Sequence, residues 1–372
     1  MRVGVPKEIK QNEYRVGLTP ASVIELAHHG HSVVVEASAG AAIDFPDEAY
    51  RAAGATVAAT AADVFRNADL IVKVEEPQPS EIGLLRFGQI LFTYLHLAPM
   101  PELARALMKS GVTAVGYETV TDASGGLPLL APMSEVAGRM AIQAAAHALE
   151  IEQGGRGLLL CGVPGVASAH VVILGGVVVG SNAACMALGL EARVTVLEAR
   201  LDRLYQINDM FGLRLGAVFS TRKAIDDYVR EVDVVIGAVL VPGATAPRLV
   251  TRAMVAGMKR GAVVVDVAID QGGCFETSRP TTHANPTFVE EGVVHYCVAN
   301  MPGAVARTST LALNNATLPF VLALTDLGLH GALRANAHLR AGLNVHAGAI
   351  TYAAVAQAIG APHVAAERAL GL

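Results

Sequence analysis

The sequence predicts an α/β protein with two Rossmann-like domains built on parallel sheets, one domain being inserted into the other. Apolar segments alternate with helical stretches almost throughout the 372 residues, a pattern typical of parallel α/β architecture. A strand-turn-helix-strand unit with glycines at its turn lies at residues 171–198, and a long helical pattern stands on each side of it. We therefore expect three segments, 1–130, 131–306 and 307–372, with the first and third forming one domain.

The individual elements follow from hydrophobic periodicity and turn residues. The N-terminal third predicts strands at 2–5, 32–36, 70–74, 90–94 and 114–116, and helices at 20–29 and 101–110. The middle third predicts strands at 171–174, 193–197, 232–236 and 262–267, with a helix at 181–190. Ser134 is a candidate N-cap for a long helix reaching about residue 153, and a second long helix follows Ser309 to about residue 329.

Composition excludes several classes of function. Hydrophobic residues make up 52% of the chain and charged residues 16%, so we expect extensive burial between subunits as well as within them. The net charge is −5 and no basic cluster is present, which argues against a nucleic-acid partner. No charged residue lies between Arg156 and Glu191, but central glycines favour a buried strand and helix over a membrane span.

Targeting and cysteine signals indicate a cytoplasmic protein. No signal peptide precedes the first predicted strand. The four cysteines form no C-x-x-C pair, as expected for reduced thiols. The 12 histidines include no H-E-x-x-H pattern, so we expect no metal site.

The turn at residues 175–180 resembles a G-x-G-x-x-G phosphate turn that has lost its middle glycine. Gly175 and Gly180 keep the tight turn and the close helix packing, but Val177 places a β-branched side chain where the backbone should approach a pyrophosphate. Glu198, 18 positions beyond Gly180, stands where a ribose-binding carboxylate is expected. Two alternatives stay open, a buried strand without ligand and a turn slipped by one residue onto Gly176. The acid and the following helix favour a nucleotide-type fold with weakened dinucleotide binding.

Several longer motifs occur along the chain in the order in which they occur in one protein family. They are MRVGVPKE (1–8), EYRVGLTP (13–20), QILFTYLHL (89–97), APMSEVAGR (131–139), GGR (154–156), GVPGV (162–166), GAVLVPG (237–243), DVAIDQGGCFE (266–276) and CVANMP (297–302). The chain resembles the alanine dehydrogenase family and, more distantly, the nicotinamide-binding subunit of transhydrogenase. The resemblance implies a substrate domain from residues 1–130 and 307–372, an inserted NAD domain at 131–306, and a homohexamer.

The resemblance also assigns substrate and catalytic residues. It implies that Arg15 binds the substrate carboxylate, that His96 is the acid/base, that Asp270 assists near the reacting carbon, and that Tyr94 lines the substrate site. A guanidinium suits a bidentate carboxylate, and a neutral imidazole exchanges protons near neutral pH. Without the resemblance, the local sequence favours a surface cation for Arg15, a packed histidine for His96 and a turn or helix cap for Asp270.

Cofactor contacts are implied in the same way. The positions that line the NAD site in the family are Ser134, Gly175, Val177, Val178, Gly180, Glu198, Arg203, Ser220, Val239, Leu240, Asn300 and Met301. The acidic side chain of Glu198 favours NAD over NADP, while Arg203 leaves a 2′-phosphate receptor as the alternative.

A second departure from the family lies at Glu75, in LIVKVEEP (70–77), where the family has K-V-K-E-P and its second lysine binds and polarises the substrate. A glutamate about 4 Å from a substrate carboxylate is unfavourable by about 1 kcal/mol at a water-like dielectric and by about 4 kcal/mol near a protein surface. Lys73 is expected on the same strand face, about 7 Å away, where it can pair with Glu75. The alternative is a shifted loop that turns Glu75 to solvent.

Two functional hypotheses follow. The first is an NAD-dependent amino-acid dehydrogenase of the alanine dehydrogenase type, converting L-alanine reversibly to pyruvate and ammonia, or a relative with an altered substrate. The second is a diverged homologue without hydride transfer, either a lyase or hydrolase of an amino or imino acid or an inactive partner. Arg15, His96 and Asp270 favour chemistry over none, whereas Glu75 and Val177 put NAD binding and activity in question.

Overall fold

The structure, a computed structural model, describes residues 1–239 and 246–372. Within them the chain divides into two compact units: unit 1 comprises Met1–Pro132 and Val305–Leu372, and unit 2 comprises Met133–Ala304. Each unit contains a mostly parallel β-sheet. This confirms the predicted α/β class.

The strands of the described residues are short. They are β1 (Arg2–Val5), β2 (Ser32–Glu36), β3 (Thr56–Ala58), β4 (Leu70–Val72), β5 (Ile90–Thr93), β6 (Thr113–Gly116), β7 (His170–Leu174), β8 (Arg193–Glu198), β9 (Gly216–Phe219), β10 (Val234–Gly237), β11 (Val263–Asp266), β12 (Thr287–Glu290), β13 (Val293–Tyr296), β14 (Leu343–His346) and β15 (Ala349–Ile350).

Helices connect most of these strands. They are α1 (Pro20–His28), α2 (Asp47–Ala52), α3 (Ala61–Asn67), α4 (Pro79–Ile82), α5 (Pro101–Ser110), α6 (Ala131–Ala148), α7 (Val178–Gly189), α8 (Leu201–Phe211), α9 (Arg222–Glu231), α10 (Arg252–Ala256), α11 (Ala306–Ala335), α12 (Ala337–Ala341), α13 (Ala353–Ile359) and α14 (Ala366–Leu370). Short 3₁₀ segments lie at Ala41–Ile43, Tyr117–Thr119, Ile151–Gln153, Gly212–Arg214, Val267–Gln271 and Met301–Val305.

The unit 1 sheet has the order β15-β14-β6-β5-β4-β1-β2-β3. β1 to β6 are parallel, and β14 pairs antiparallel with β6 and β15. The chain runs outward from β1 in one direction and then returns to β4 on its other side. In open α/β sheets, ligands bind at the carboxyl ends of the strands where the order reverses, here β1 and β4.

The unit 2 sheet has the order β12-β13-β11-β10-β7-β8-β9, with an antiparallel edge at β12. Buried valine and isoleucine side chains of β7, β10 and β11 form its apolar centre. The order reverses between β7 and β10, which places a second potential ligand crevice at the carboxyl ends of these two strands.

Several predicted boundaries are wrong. β4 ends at Val72 rather than at residue 74. The Val74 N–H donates to the Glu8 carboxylate at 2.6 Å, although Lys73 and Val74 still form backbone hydrogen bonds with Phe92 and Tyr94. Ser134 is not an N-cap, since α6 begins at Ala131 and Pro132 suits the first helical turn. The helix after the glycine turn begins at Val178, three residues earlier than expected.

One helical stretch among the described residues, Met301–Ala335, is long and apolar enough to cross a membrane by length and composition alone. On this helix, Asn314 accepts hydrogen bonds from the Thr19 N–H and the Ser22 hydroxyl, both at 2.8 Å, and donates one to the Gly17 carbonyl at 3.1 Å. These buried bonds belong to a helix that is part of a folded domain.

Candidate active site

Four predicted substrate and catalytic residues meet at the carboxyl edge of the unit 1 sheet. Arg15 lies in the segment after β1, Glu75 follows β4, and Tyr94 and His96 follow β5. Glu75 contacts Arg15 directly, its carboxylate lies within 4.8 Å of a ring nitrogen of His96, and the rings of His96 and Tyr94 stack with centroids 5.8 Å apart. The fold therefore assembles these residues where an open α/β sheet places its ligands.

Arg15 is engaged by two carboxylates of its own chain. Its Nε donates to Glu13 Oε1 at 2.8 Å, and its Nη2 donates to Glu13 Oε2 at 2.5 Å and to Glu75 Oε1 at 2.6 Å. Burial alone would lower the pKa of Arg15, but Glu13 and Glu75 raise it above its usual range. Arg15 is only 2% exposed, so it is a buried cation and not a surface one.

Glu75 points into this cluster. Its second carboxylate oxygen accepts a hydrogen bond from Lys10 Nζ at 2.9 Å, and the residue is 5% exposed. Burial alone would raise the pKa of Glu75, but Arg15 and Lys10 hold it well below its usual range. The side chain is therefore ionised, and the alternative in which Glu75 turns to solvent is wrong.

Lys73 does not pair with Glu75. Its ammonium donates to Glu8 at 3.0 Å and to Glu81 at 2.8 Å, and the side chain is fully buried. Glu75 lies beyond the end of β4, so strand alternation does not fix its side chain on the face of Lys73. Lys73 thus neutralises a separate buried cluster and leaves Glu75 to Arg15 and Lys10.

His96 is held in place but remains open to solvent. Its backbone adopts the left-handed conformation (φ 48°), and its N–H donates to Glu118 Oε1 at 2.7 Å. The Tyr94 ring beneath it is buried and donates its hydroxyl to the Leu129 carbonyl at 2.6 Å. An exposed imidazole fixed by its backbone and by a stacked ring is suited to proton exchange.

The sequence interpretation missed other side chains here. Glu13 is the first residue of the motif EYRVGLTP (13–20) but was assigned no role, and Lys10 and Glu118 lie in no motif. Glu75, Glu76 and His96 also form a group whose ligand atoms lie within 4.8 Å of one another. Such a group combines residues from two loops, so local histidine spacing does not reveal it. A cavity of about 410 Å³ lies beside the cluster, lined among others by Lys10 and Arg15.

In unit 2, the glycine turn joins β7 to α7. Gly175 has φ 92°, and a Cβ on Gly180 would lie 1.8 Å from the Gly175 carbonyl oxygen, so both glycines are required. A Cβ on Gly176 would meet the Ile207 side chain at 2.3 Å, so this residue faces the interior. The slipped turn is therefore not observed. Val177 precedes α7 and is 46% exposed.

The side chains of Glu198 and Arg203 form hydrogen bonds with the backbone of this turn. Glu198 accepts hydrogen bonds from the Gly176 N–H at 2.8 Å and the Arg200 N–H at 3.0 Å. Arg203 donates to the Gly176 carbonyl at 2.8 Å and to the Ser181 hydroxyl at 2.7 Å. With these bonds Arg203 is tied to the turn, which disfavours it as a 2′-phosphate receptor.

The other predicted cofactor residues, and the predicted catalytic residue Asp270, are spread along unit 2. Ser220 and Val239 follow β9 and β10 at the carboxyl edge of the sheet, and Val239 lies close to the turn at Gly175. Ser134 is inside α6, Asn300 has a left-handed backbone (φ 57°), and Met301 is buried. Val178 is the first residue of α7, the exposed Asp270 lies in the 3₁₀ segment after β11, and Leu240 lies outside the described residues.

Both parts of the chain match models of one family. The model "Alanine dehydrogenase/PNT, N-terminal domain" matches residues 4–137, and "Alanine dehydrogenase/PNT, C-terminal domain" matches residues 141–353. The chain belongs to the alanine dehydrogenase/PNT family. Its resemblance to that family, first seen in short motifs, is thereby confirmed.

Individual members of the family resemble the chain over its whole length. It is 59% identical over 371 residues to an alanine dehydrogenase of Halomonas elongata, with 100% of both chains covered. A solved L-alanine dehydrogenase is 50% identical with a TM-score of 0.94, covering 97% of this chain and 99% of its own. A transhydrogenase from Sinorhizobium meliloti is 29% identical with a TM-score of 0.82, covering 95% of this chain and 100% of its own.

Proposed function

We propose that this protein is an NAD-dependent alanine dehydrogenase that interconverts L-alanine, NAD and water with pyruvate, ammonia and NADH. The observation that carries the proposal is full-length identity of 59% to an alanine dehydrogenase. The similarity gives no support to a homologue without hydride transfer. The placement of Arg15 and His96 at the carboxyl edge of one sheet agrees with a small oxo-acid substrate.

Each unit has its own task in this proposal. Unit 1 binds the amino or oxo acid: Arg15 anchors its carboxylate, Tyr94 lines the site, and His96 transfers a proton to or from the oxygen that becomes the carbonyl. Unit 2 binds NAD through the turn at Gly175 and Gly180, with Glu198 near the ribose, and Asp270 assists near the reacting carbon. Ser134, Arg203, Ser220, Val239, Leu240, Asn300 and Met301 complete the cofactor contacts.

The backbone of the glycine turn fits NAD, but the Val177 side chain reduces the space for the pyrophosphate. The left-handed Gly175 and the close approach of Gly180 are those of a dinucleotide turn, and an acidic side chain stands at the end of β8. Bound NAD supplies the hydride acceptor for the Cα of alanine. Val177, 46% exposed at the start of α7, stands where the pyrophosphate approaches, so we expect weak binding.

We expect Glu75 to limit the turnover rate of the protein with its natural sequence. The substrate carboxylate requires the Arg15 guanidinium, whose Nη2 already donates to Glu75 at 2.6 Å. Binding must therefore displace an internal carboxylate, and the lysine that polarises the carbonyl in the family is missing. We expect NAD-dependent turnover that is slow rather than absent.

Two measurements on the purified protein test this function. Calorimetry with NADH measures cofactor affinity, and NADH oxidation with pyruvate and ammonium measures turnover. Slow oxidation that requires both pyruvate and ammonium supports an alanine dehydrogenase. If neither the natural sequence nor its Glu75→Lys, Val177→Gly double variant oxidises NADH under these conditions, the proposed function is wrong.

We also propose a cytoplasmic homohexamer. A chain with 52% hydrophobic and 16% charged residues suits a protein that buries surface between subunits. Light scattering after gel filtration should give a mass near six times 38.5 kDa. A monomer mass would contradict the hexamer without affecting the proposed activity.

A further inference from the structure

Two buried carboxylates hold a cation at the active edge of unit 1, and one imidazole lies close to both carboxylates. Glu75 and Glu76 are 5% and 3% exposed, and their ligand atoms and that of His96 lie within 4.8 Å of one another. Lys10 Nζ bridges the two carboxylates, 2.9 Å from Glu75 Oε2 and 2.9 Å from Glu76 Oε1. The position between the two glutamates is therefore already one that a positive charge occupies.

We propose that Glu75, Glu76 and His96 form a binding site for a divalent transition-metal ion, Zn²⁺ or Mn²⁺, which takes the place of the Lys10 ammonium. Imidazole nitrogen and carboxylate oxygen are both donors that transition-metal ions such as zinc accept, and three protein ligands leave a position open for water or substrate. Mg²⁺ and Ca²⁺ prefer oxygen ligands alone, so the histidine nitrogen selects against them.

The distances allow metal binding with side-chain movement only. Ligands about 2.0–2.1 Å from a tetrahedral zinc ion lie about 3.3 Å from one another. The three donors lie within 4.8 Å, so each pair must approach by at most about 1.5 Å. Rotation of the exposed His96 ring and of the glutamate side chains supplies such a shift without moving the backbone.

The charges of the cluster also favour a dication. Three carboxylates, Glu13, Glu75 and Glu76, share the two cations Lys10 and Arg15 through direct contacts. Replacing one ammonium by a dication balances these five groups. The Lys10 side chain is 34% exposed, so its long stem can swing the ammonium into solvent.

Neighbouring contacts already orient the ligands. Arg15 holds Glu75 Oε1 at 2.6 Å, which leaves Oε2 as the oxygen that faces Lys10 and the metal position. The backbone N–H of His96 donates to Glu118 at 2.7 Å and fixes the main chain, and the Tyr94 ring stacks on the imidazole at 5.8 Å. The bond from Arg15 to Glu75 is of the kind that orients a ligand carboxylate and raises metal affinity, while the imidazole and the Glu76 carboxylate can still rotate toward the ion.

A metal ion bound here explains why Glu75 stands where the family has a lysine. A metal ion at this position restores a positive charge at the substrate, where it can polarise the carbonyl oxygen of an oxo acid. With the ion bound, His96 is a ligand and does not transfer the proton, so its acid/base role belongs to the metal-free site. The polarisation of the carbonyl oxygen rests on the proposed function. Metal binding itself does not, because it depends only on side chains of unit 1.

Calorimetry with ZnCl₂ or MnCl₂, on full-length protein first treated with a chelator, tests the site without any substrate. We expect saturable binding that weakens at least tenfold in Glu75→Gln and in His96→Ala. Lys10→Met should tighten binding at least tenfold, because it removes the competing ammonium. Glu102→Gln, on the exposed surface of α5, is the matched control and should bind metal unchanged.

Histidines elsewhere in unit 1, among them His29 and His31 beside Asp326, can also bind added zinc. The assignment to Glu75, Glu76 and His96 therefore depends on the differences between variants. No saturable binding, or equal affinity in the natural sequence, Glu75→Gln and His96→Ala, overturns the proposal. A gain in affinity in Lys10→Met supports it even if Glu75→Gln fails to fold.

The metal inference and the proposed function can fail independently. If no metal binds but Glu75→Lys aminates pyruvate with NADH, the metal site is wrong and the dehydrogenase function stands. If metal binds at these residues but no variant uses NADH, the metal site stands and the function is wrong.

Discussion

Replacing Glu75 by lysine should accelerate pyruvate amination at saturating NADH. In the natural sequence, Glu75 Oε1 lies 2.6 Å from Arg15 Nη2, the group that we propose for the substrate carboxylate. The variant removes this internal competitor and supplies an ammonium beside the oxo group. Saturating NADH removes the effect of Val177 on cofactor binding from the comparison.

The expected magnitude follows from the charges around the site. A carboxylate bound to Arg15 would lie about 4 Å from that of Glu75, a repulsion of about 4 kcal/mol at the dielectric near a protein surface. New repulsion of the introduced ammonium from Lys10 and Arg15 opposes the gain, although Glu13 and Glu76 remain to offset it. We therefore expect kcat/KM to rise at least tenfold, about 1.4 kcal/mol of transition-state stabilisation.

Steady-state NADH oxidation with pyruvate and ammonium is the assay. Glu75→Gln is the informative control, since it removes the repulsion without supplying a cation, and it should give a smaller increase than lysine. The reasoning is refuted if the natural sequence already turns over rapidly, or if glutamate, glutamine and lysine give the same kcat/KM.

Three further predictions concern unit 2. Val177→Gly should tighten NADH binding at least tenfold in calorimetry, about 1.4 kcal/mol, because it removes a side chain at the pyrophosphate position; low-micromolar affinity of the natural sequence would contradict this. Gly180→Ala should lower the free energy of unfolding by about 1–3 kcal/mol and abolish NADH binding, because its Cβ would lie 1.8 Å from the Gly175 carbonyl. Gly189→Ala, in the same helix with no atom within 4 Å of the new Cβ, should do neither, and equal effects of the two would refute the steric argument. Burial, assisted by Arg193, lowers the pKa of His170 from 6.5 to about 4, so the unfolded chain binds a proton that the folded state excludes. This stability is present above pH 6.5 and is lost as the pH falls toward 4: urea unfolding should show a decrease of at most about 2 kcal/mol between pH 6.5 and 5, and His170→Gln should reduce it. A decrease of the same size in the variant would contradict the assignment.

The local sequence pattern was sufficient to predict most of the central strands and the glycine turn. Valine- and isoleucine-rich runs predicted β1, β2 and β7 because strands buried on both faces read as continuous apolar segments. The same pattern missed β3, β9, β12, β13 and the β14–β15 pair. β3, β9 and β12 are short and partly exposed, and β13 is buried but has only four residues, with a histidine among them. The antiparallel additions to both sheets were missed for the same reason.

The sequence by itself determined the α/β class and the family, and it indicated Glu75 and Val177 as departures from the family motifs. Only the tertiary structure decided which charges meet: Lys73 turned to Glu8 and Glu81, while Glu75 joined Arg15 and Lys10. Apolar periodicity is local and can be read along the chain. The partner of a buried charge depends on where strands end and which loops share a sheet edge, and residues as far apart in sequence as 15 and 75 become neighbours only after folding.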